Sequence, residues 1–153
     1  MLTDAIDMLA ADHVRIQSLF SECDSSESDN KRRVIFEDIR TELDIHSYVE
    51  ETIFYPAFRK HPELTSMIDQ SYDEHREVKQ LIERISSLYA ERTGGNSHAR
   101  ELVSTLRQKV EAHAAKEEAE LFPAVKRHMK RNEREQLGRH ISVARQEKEE
   151  AAA

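Results

Sequence analysis

The sequence predicts an all-α protein: an up-down-up-down four-helix bundle with a short additional C-terminal helix. The chain of 153 residues is rich in charge (35% DEKR) and has only three glycines and three prolines. That balance suits long amphipathic helices and leaves few turns for a sheet. Apolar residues also recur with steps of three and four in four successive stretches, joined by short connections, which is typical of a bundle.

The first helix is expected to begin at a cap on Thr3 or Asp4 and to run to about Cys23. His13 lies in its apolar seam, whose other members are Ile6, Leu9, Ile16 and Phe20. The polar stretch 24–30 ends this helix, and a second helix begins near Asn30. Its seam places a histidine and a glutamate in line with the core: Phe36, Ile39, Leu43, His46, Glu50, Ile53 and Ala57. Pro56 should kink or end this helix.

The third helix follows the connection at residues 60–62, and one face carries Ile68, Tyr72, His75, Ile82, Ile85 and Tyr89. The run Gly94-Gly95-Asn96 predicts the loop that stops it. The fourth helix begins near Ser97 and is interrupted by Pro123. Its seam has the same register, with Val103, Leu106, Val110, His113, Glu117, Leu121 and Ala124.

The chain divides into residues 1–130, the bundle, and residues 131–153, a polar C-terminal helix and tail. Beyond residue 131 only a thin apolar stripe remains, formed by Leu137, Ile141 and Ala144. We therefore expect a short helix docked loosely on the bundle, with a frayed KEEAAA tail.

Composition excludes several classes of protein. The net charge of −7 argues against a nucleic-acid partner, which would select a basic face. No window approaches ~18 consecutive apolar residues, so no membrane partner is expected. The N-terminus lacks the basic region of a secretion signal, and the single Cys23 cannot form an internal disulfide. We expect a cytoplasmic protein.

A duplicated motif is the strongest signal in the sequence. Residues 43–58 read LDIHSYVEETIFYPAF and residues 110–125 read VEAHAAKEEAELFPAV. Both contain H-x-x-x-E-E-x-x-x-x-P-A, beginning at His46 and at His113. A histidine and a glutamate four residues apart project from the same helical face. The repeat therefore predicts two metal-binding helices that face each other.

The seam positions supply four inward histidines and two carboxylates: His13, His46, His75, His113, Glu50 and Glu117. Buried carboxylates are costly unless they are paired or bound to metal. Imidazole and carboxylate without thiolate suit iron, manganese or zinc. Six ligands shared by two metals ~3.5–4 Å apart would give each metal two histidines and one oxygen from each bridging glutamate. With a bridging oxide or hydroxide, each metal keeps room for an exogenous ligand.

Four segments together resemble the hemerythrin-like, or HHE cation-binding, family: DH at 12–13, HSYVEETIFYP at 46–56, EH at 74–75 and HAAKEEAELFP at 113–123. The resemblance covers roughly residues 3–130. It implies a non-haem centre of two iron ions, oxo- or hydroxo-bridged, with the four histidines as terminal ligands. Glu50 and Glu117 would be the bridging carboxylates.

The sequence departs from the oxygen carriers of that family at two points. The carriers place a second histidine one turn after the one on the third helix, and here that position is Lys79. The last motif is H-x-x-x-E rather than the carriers' longer His-to-Asp spacing. Both irons are then alike, which puts reversible oxygen carriage in doubt. The pattern is closer to the branch associated with peroxide handling or with sensing of iron and oxygen.

The roles of four residues stay open at this point. Tyr55 could hydrogen-bond to a bridging oxide or bound peroxide as a catalytic group, or it could be an amphipathic aromatic at the bundle end. Lys79 could lie near the metals or extend past an apolar stripe to solvent. Glu51 and Glu118 are solvated acids or partners of the ligands. The remaining histidines are read as surface residues: His61, His98, His128 and His140.

Three functions compete. The first is a di-iron protein that binds dioxygen or peroxide and decomposes hydrogen peroxide, as a catalase does. The alternative is an oxygen, nitric oxide or iron sensor, or an iron-binding module, without catalytic turnover. A third is iron storage or detoxification. In each case the partners are small ligands, and the sequence leaves the oligomeric state open.

Overall fold

The computed structural model describes residues 3–91 and 96–152, and within these ranges the chain is helical with no β-strand. In chain order the helices are α1 (Ala5–Ser25), α2 (Asp29–Val49), α3 (Tyr55–Phe58), α4 (Pro62–Ala90), α5 (Asn96–Lys116), α6 (Phe122–His128) and α7 (Arg131–Ala152). Two π-helical turns, Glu50–Phe54 and Glu117–Leu121, join α2 to α3 and α5 to α6. The all-α prediction is confirmed. No helix among the described residues is long and apolar enough to cross a membrane.

Helices α1, α2, α4 and α5 form a closed ring of contacts, in which α1 packs on α2, α2 on α4, α4 on α5 and α5 on α1. Helix α7 lies outside this ring, against α1, α2 and the first π-helical turn. The helix starts follow from capping: Asp4 accepts the backbone N–H of Ile6 at 2.9 Å, and Ser28 accepts that of Lys31 at 3.3 Å. Gly94 and Gly95 of the predicted loop lie outside the described residues.

The two prolines of the duplicated motif do not end their helices. The chain stays helical through Pro56 and Pro123, because a π-helical turn comes just before each proline. In these wider turns the N–H of Tyr55 bonds to the carbonyl of Glu50, and that of Phe122 bonds to the carbonyl of Glu117. Such π-bulges occur often at functional sites. Both copies of the motif therefore build the same local structure, which begins at the glutamate.

The core consists of two apolar clusters with a polar layer between them. One cluster contains the aromatic side chains of the motif ends and the apolar face of α7: Phe54, Tyr55, Phe58, Phe122, Leu137, Ile141 and Ala144. The other fills the opposite end of the bundle, with Ile16, Phe20, Phe36, Ile39, Ile85, Val103 and Leu106. Along the sequence, each candidate histidine falls between a residue of one cluster and a residue of the other, as His13 does between Leu9 and Ile16.

Helix α7 is not the short, loosely docked helix that the sequence led us to expect. It has 22 residues and buries Leu137, Gly138, Ile141 and Ala144. Gly138 packs directly against the backbone of Thr3, and the Arg134 Nε atom lies 3.0 Å from Asp4 Oδ2. The expected frayed tail is also wrong as far as Ala152, where the helix ends; Ala153 lies outside the described residues. A thin stripe suffices because a glycine lets the two backbones approach closely.

Gly138→Ala tests this packing. A Cβ at this position would overlap the carbonyl oxygen of Thr3, which is a backbone atom and not the end of a flexible side chain. We expect a loss of about 1–3 kcal/mol in the free energy of unfolding by urea, as for other overpacked sites. Helix propensity alone predicts the opposite sign, a gain of about 1 kcal/mol.

Ser142→Ala, at an exposed position of the same helix, is the matched control and should change stability little. A Gly138→Ala protein as stable as the parent chain would show that α7 is not held at this contact.

Candidate metal centre

All six predicted ligand residues meet in the polar layer. The histidines come one each from α1, α2, α4 and α5, and Glu50 and Glu117 are the first residues of the two π-helical turns. Their side chains form two groups able to hold a metal ion, with ligand atoms within 4.8 Å of one another: His13, His46, Glu50 and Glu117 in one, and Glu50, His75 and His113 in the other. We call these the first and the second ligand group.

In the first ligand group each glutamate faces one histidine. The His13 Nε2 atom lies 3.1 Å from Glu117 Oε1, and the His46 Nε2 atom lies 3.2 Å from Glu50 Oε1. The two imidazole rings meet edge to face, with centroids 5.0 Å apart. One carboxylate from each copy of the motif therefore reaches this pair of histidines.

The other two histidines face the same two glutamates, although only Glu50 belongs to the second ligand group as well as to the first. The His75 Nε2 atom lies 3.1 Å from Glu50 Oε1, and the His113 Nε2 atom lies 3.5 Å from Glu117 Oε2. The two Nε2 atoms are themselves 3.2 Å apart. Each carboxylate thus lies between a histidine of the first group and a histidine of the second, which is where a bridging ligand would have to be.

The burial of these groups fits a cation. Glu50 is 0% exposed and Glu117 is 2% exposed. Among the described residues, Glu50 Oε2 is a buried acceptor without a hydrogen-bond partner, and His46 Nε2 is buried with only its ion-pair contact to Glu50 Oε1. Unpartnered buried acceptors are rare because the loss of hydration costs free energy. A metal ion would bind both atoms, and four imidazoles with two carboxylates form a donor set that suits iron, manganese or zinc.

Each of the four histidines has a carboxylate near its other ring nitrogen, Nδ1, with hydrogen-bond geometry for His46, His75 and His113 but not for His13. The Nδ1 atoms lie 2.8 Å from Asp12 for His46, 3.1 Å from Glu51 for His75, 3.2 Å from Glu74 for His113 and 3.5 Å from Glu118 for His13. Carboxylates at this position fix the ring orientation and leave Nε2 free to bind a metal. The structure thus places Glu51 and Glu118, whose roles were open, beside candidate ligands.

Asp12 has further partners of its own. Its carboxylate lies 2.8 and 2.7 Å from the two terminal nitrogens of Arg145 on α7, and 2.6 Å from Arg15. Burial raises the pKa of Asp12, but His46 and Arg145 outweigh this and lower it to about 2. Asp12 therefore stays ionised and lies between His46 and Arg145, which both bind its carboxylate.

Sequence reasoning missed the roles of Asp12, Glu74 and Arg145. A signal existed for Asp12, which falls between Leu9 and Ile16 in the apolar seam, where an acid is unusual. A weaker signal existed for Glu74, which directly precedes a seam histidine. Nothing local marks Arg145, since its contact spans 133 residues of sequence.

Tyr55 belongs to the centre. Its hydroxyl donates to Glu117 Oε2 at 2.6 Å, and it lies 3.0 Å from Glu50 Oε1 and 3.4 Å from His75 Nε2. In a regular α-helix a residue five positions after Glu50 would point elsewhere, but the π-helical turn brings Tyr55 back over the glutamate. The counterpart in the second copy, Phe122, stacks on His13 with ring centroids 6.0 Å apart.

The other singled-out residues lie outside both ligand groups. Lys79 is exposed on α4, as expected for a lysine that extends to solvent. His98 and His140 are exposed, whereas the rings of His61 and His128 lie near each other with centroids 4.6 Å apart. Cys23 is a buried free thiol at the end of α1.

Without metal, the histidines carry the positive charge that the glutamates need. Burial lowers the pKa of His46, but Glu50 and Asp12 outweigh it and raise the pKa to about 10. For His113 burial is again opposed by Glu117 and Glu50, which raise the pKa to about 11. Burial raises the pKa of Glu50, yet His46 and the neighbouring histidines bring it well below its ordinary value. In the metal-free protein these groups form buried ion pairs.

A cavity of about 340 Å³ opens beside the candidate ligands between α1, α2, α4 and α5. All four imidazoles line it, and most of its other lining residues are apolar, among them Ile16, Phe20, Leu43, Val78 and Val110. A small ligand could therefore reach the centre from this side while the bulk of the bundle excludes water.

Comparisons with known proteins agree with the motifs. The family model described as the hemerythrin HHE cation binding domain matches residues 4–125. A DNA nickase of Nostoc sp. is 26% identical over 139 residues, which are 91% of this chain and 38% of the nickase. Uncharacterised proteins of Mycobacterium tuberculosis and Mycobacterium bovis are each 27% identical over 122 residues, covering 79% of this chain and 71% of the relative.

The chain thus spans 38% of the length of the Nostoc relative. No solved structure matches the chain.

The metal-free protein should lose stability as the pH rises from about 6.5 to 10. A histidine whose folded pKa is raised contributes stability that is complete below its unfolded pKa, near 6.5, and is lost as the pH rises through the folded pKa, about 10 for His46. Urea unfolding of the metal-free chain at pH 6, 8 and 10 measures the effect.

Glu50→Gln is the control, because it removes the carboxylate that raises the pKa of His46. In this variant the decline with pH should be smaller. A parent chain whose free energy of unfolding is constant or rises over this range would contradict the ion-pair account.

Proposed function

The chain belongs to the hemerythrin HHE cation-binding domain family, and on this premise we propose that it is a non-haem di-iron protein that binds dioxygen or peroxide. The observation that carries the proposal is the position of the two carboxylates, each between one histidine of the first ligand group and one of the second. In this proposal the six residues would hold two iron ions, with Glu50 and Glu117 as the carboxylates available to both. The irons would supply ferrous–ferric redox chemistry and Lewis acidity.

The proposed reaction is catalase-like: two molecules of hydrogen peroxide give two of water and one of dioxygen. The balance needs no external reductant. Two features support peroxide over reversible oxygen carriage. Each ligand group contains two histidines, with Lys79 exposed where the carriers have a further imidazole, so neither metal is saturated. The cavity also gives a small ligand direct access to all four imidazoles.

Tyr55 is the proposed proton-handling group. Its phenol is buried against both carboxylates, and burial with the charges of Glu50 and Glu117 raises its pKa well above the ordinary value. It therefore keeps its proton at neutral pH and can donate a hydrogen bond to a carboxylate or to a small ligand beside it. The Tyr55 hydroxyl contacts the two carboxylates, whereas the residues that line the cavity do not include Tyr55.

We also propose the up-down-up-down topology and the division into residues 1–130 and 131–153. Its support is the order in which the helices meet the two apolar clusters. Helices α1 and α4 begin in the cluster that contains Phe54 and end in the other, whereas α2 runs the opposite way. Helix α5 also begins in the other cluster, and the chain reaches the cluster of Phe54 at Leu121, in the π-helical turn after α5. Short connections between successive helices favour the same arrangement.

A sensing role without turnover is the second candidate, for iron, oxygen or nitric oxide. It is favoured by the contact of α7 with Asp12, through which a helix outside the matched residues 4–125 touches the surroundings of a candidate ligand. The activity in the name of the Nostoc relative is not carried over. This chain spans 38% of that protein, and its net charge of −7 is unsuited to nucleic acid.

The proposal predicts two irons per chain in protein expressed with iron, with charge-transfer bands in the near ultraviolet, and oxygen evolution from hydrogen peroxide. His46→Ala and Glu117→Ala should each lower oxygen evolution by at least about 100-fold, since each removes a ligand. Metal analysis and an oxygen electrode measure both quantities on the same sample.

His140→Ala and Glu120→Ala change the same residue types at exposed positions and should have no effect. Two irons bound without oxygen evolution would reject the enzyme and leave the sensor. A chain that takes up no iron would reject both.

Tyr55→Phe should separate binding from turnover. The phenol donates to Glu117 at 2.6 Å, but it is not a predicted ligand, so the variant should still bind two irons. We expect the rate of peroxide turnover to fall about 10²–10⁴-fold, the usual contribution of a general acid or base. Tyr89→Phe changes a buried tyrosine of the opposite cluster and serves as control. Full activity of Tyr55→Phe would show that the phenol only fills space.

A further inference from the structure

We propose that Arg145 of α7 is a positioning residue of the metal centre, which fixes the carboxylate of Asp12 and thereby the ring of His46. The inference rests on the metal site proposed above and deepens it. It adds to that site a side chain from a helix outside residues 4–125, the part of the chain that the family model matches.

A continuous series of hydrogen bonds connects α7 to His46, the candidate ligand. The Arg145 Nη1 and Nη2 atoms donate to Asp12 Oδ1 and Oδ2 at 2.8 and 2.7 Å, and Asp12 Oδ2 lies 2.8 Å from His46 Nδ1. A bidentate contact between guanidinium and carboxylate allows essentially one orientation of the carboxylate plane. Since the same oxygen faces both Arg145 and His46, the position of the arginine determines the direction in which the imidazole points.

Asp12 and His46 are both buried, at 2% and 5% exposed. Water therefore cannot easily replace the arginine as a partner of the carboxylate. A carboxylate left without it would turn toward other donors, and the ring of His46 would lose its fixed orientation.

The backbone of α7 is held firmly enough to serve this purpose. Gly138 packs on the backbone of Thr3, Arg134 pairs with the capping residue Asp4, and Ala144, the residue before Arg145, is buried in the core. Arg145 thus projects from a fixed helix and not from a mobile tail.

In the part of the chain that the structure describes, the carboxylates behind the other three candidate histidines have no such bidentate arginine. The carboxylates on the Nδ1 atoms of His75, His113 and His13 are Glu51, Glu74 and Glu118, whose side chains are 33%, 29% and 47% exposed. Within residues 3–91 and 96–152, the one lysine or arginine within 4 Å of these three carboxylates is Lys116, whose Nζ lies 3.9 Å from Glu74. The effect of Arg145 should therefore fall on the first ligand group, which contains His46, and spare the second.

Three variants of the full chain test the proposal. Arg145→Ala removes the contact with Asp12, and Arg145→Lys keeps the positive charge but cannot form the bidentate contact. Arg15→Ala is the matched control, because Arg15 touches Asp12 Oδ1 at 2.6 Å from the half-exposed surface and leaves the contact with Oδ2 intact.

Chelator competition measures iron affinity, and Mössbauer spectroscopy of the loaded protein reports each iron separately. We expect Arg145→Ala to weaken the binding of one iron by about 10–100-fold, the usual effect of losing such a partner. Arg145→Lys should lie between Arg145→Ala and the parent chain, and Arg15→Ala should stay within about threefold of the parent. One iron signal should change, the same one that changes in Asp12→Asn, and the other should not.

A merely structural role for Arg145 predicts something different: a lower melting temperature of the metal-free protein, with both irons weakened equally. That result would overturn the proposal, as would parent-like iron affinity in Arg145→Ala. The double variant Asp12→Asn/Arg145→Ala should be no weaker than Asp12→Asn alone, since both act through one contact.

The readout does not involve peroxide, so the two proposals fail separately. A parent chain that binds two irons without turning over peroxide leaves the role of Arg145 intact. A parent chain that binds no iron would overturn both proposals.

Discussion

The burial of two carboxylates in the middle of a helical bundle is the constraint on which the rest of this structure depends. Glu50 and Glu117 are almost fully removed from water. An uncompensated charge buried in this way would cost more free energy than the net folding stability of a domain of this size. Four histidines and the phenol of Tyr55 surround them, and each histidine has its own carboxylate behind it. The alternation of charge, from carboxylate to imidazole to carboxylate, lets the metal-free bundle fold and also leaves the Nε2 atoms directed at the place a cation would occupy.

The duplicated motif shows why much of this centre could be read from the sequence. A histidine and a glutamate four residues apart share one helical face, and the apolar steps on either side fix that face toward the core, so the convergence of the six candidate ligands could be predicted from periodicity. Tyr55 could not be decided in this way, because its placement over Glu50 requires a π-helical turn that an α-helical wheel does not contain. The same turn carries the helix past Pro56, where sequence rules suggested a kink or an end.

The expectations about α7 that proved wrong have one physical origin. Close packing of this helix depends on Gly138 meeting the backbone of Thr3, and its contact with Asp12 joins residues at opposite ends of the chain. The pattern of apolar residues within a helix does not reveal contacts with residues far away in the sequence. A helix with few apolar residues was therefore expected to be weakly attached. Because of these contacts the surroundings of the two ligand groups are unequal: His46 is backed by an ionised aspartate and an arginine, whereas the other histidines are backed by partly exposed glutamates. Two chemically similar metal positions would therefore differ in rigidity.

The central claim is that two iron ions share Glu50 and Glu117 between the two histidine pairs, and anomalous diffraction at the iron edge tests it most directly. Crystals of iron-loaded protein should show two peaks about 3.5–4 Å apart in the polar layer. One peak should lie beside His13 and His46 and the other beside His75 and His113. A single peak, or iron bound only at the surface near His61 and His128, would contradict the account.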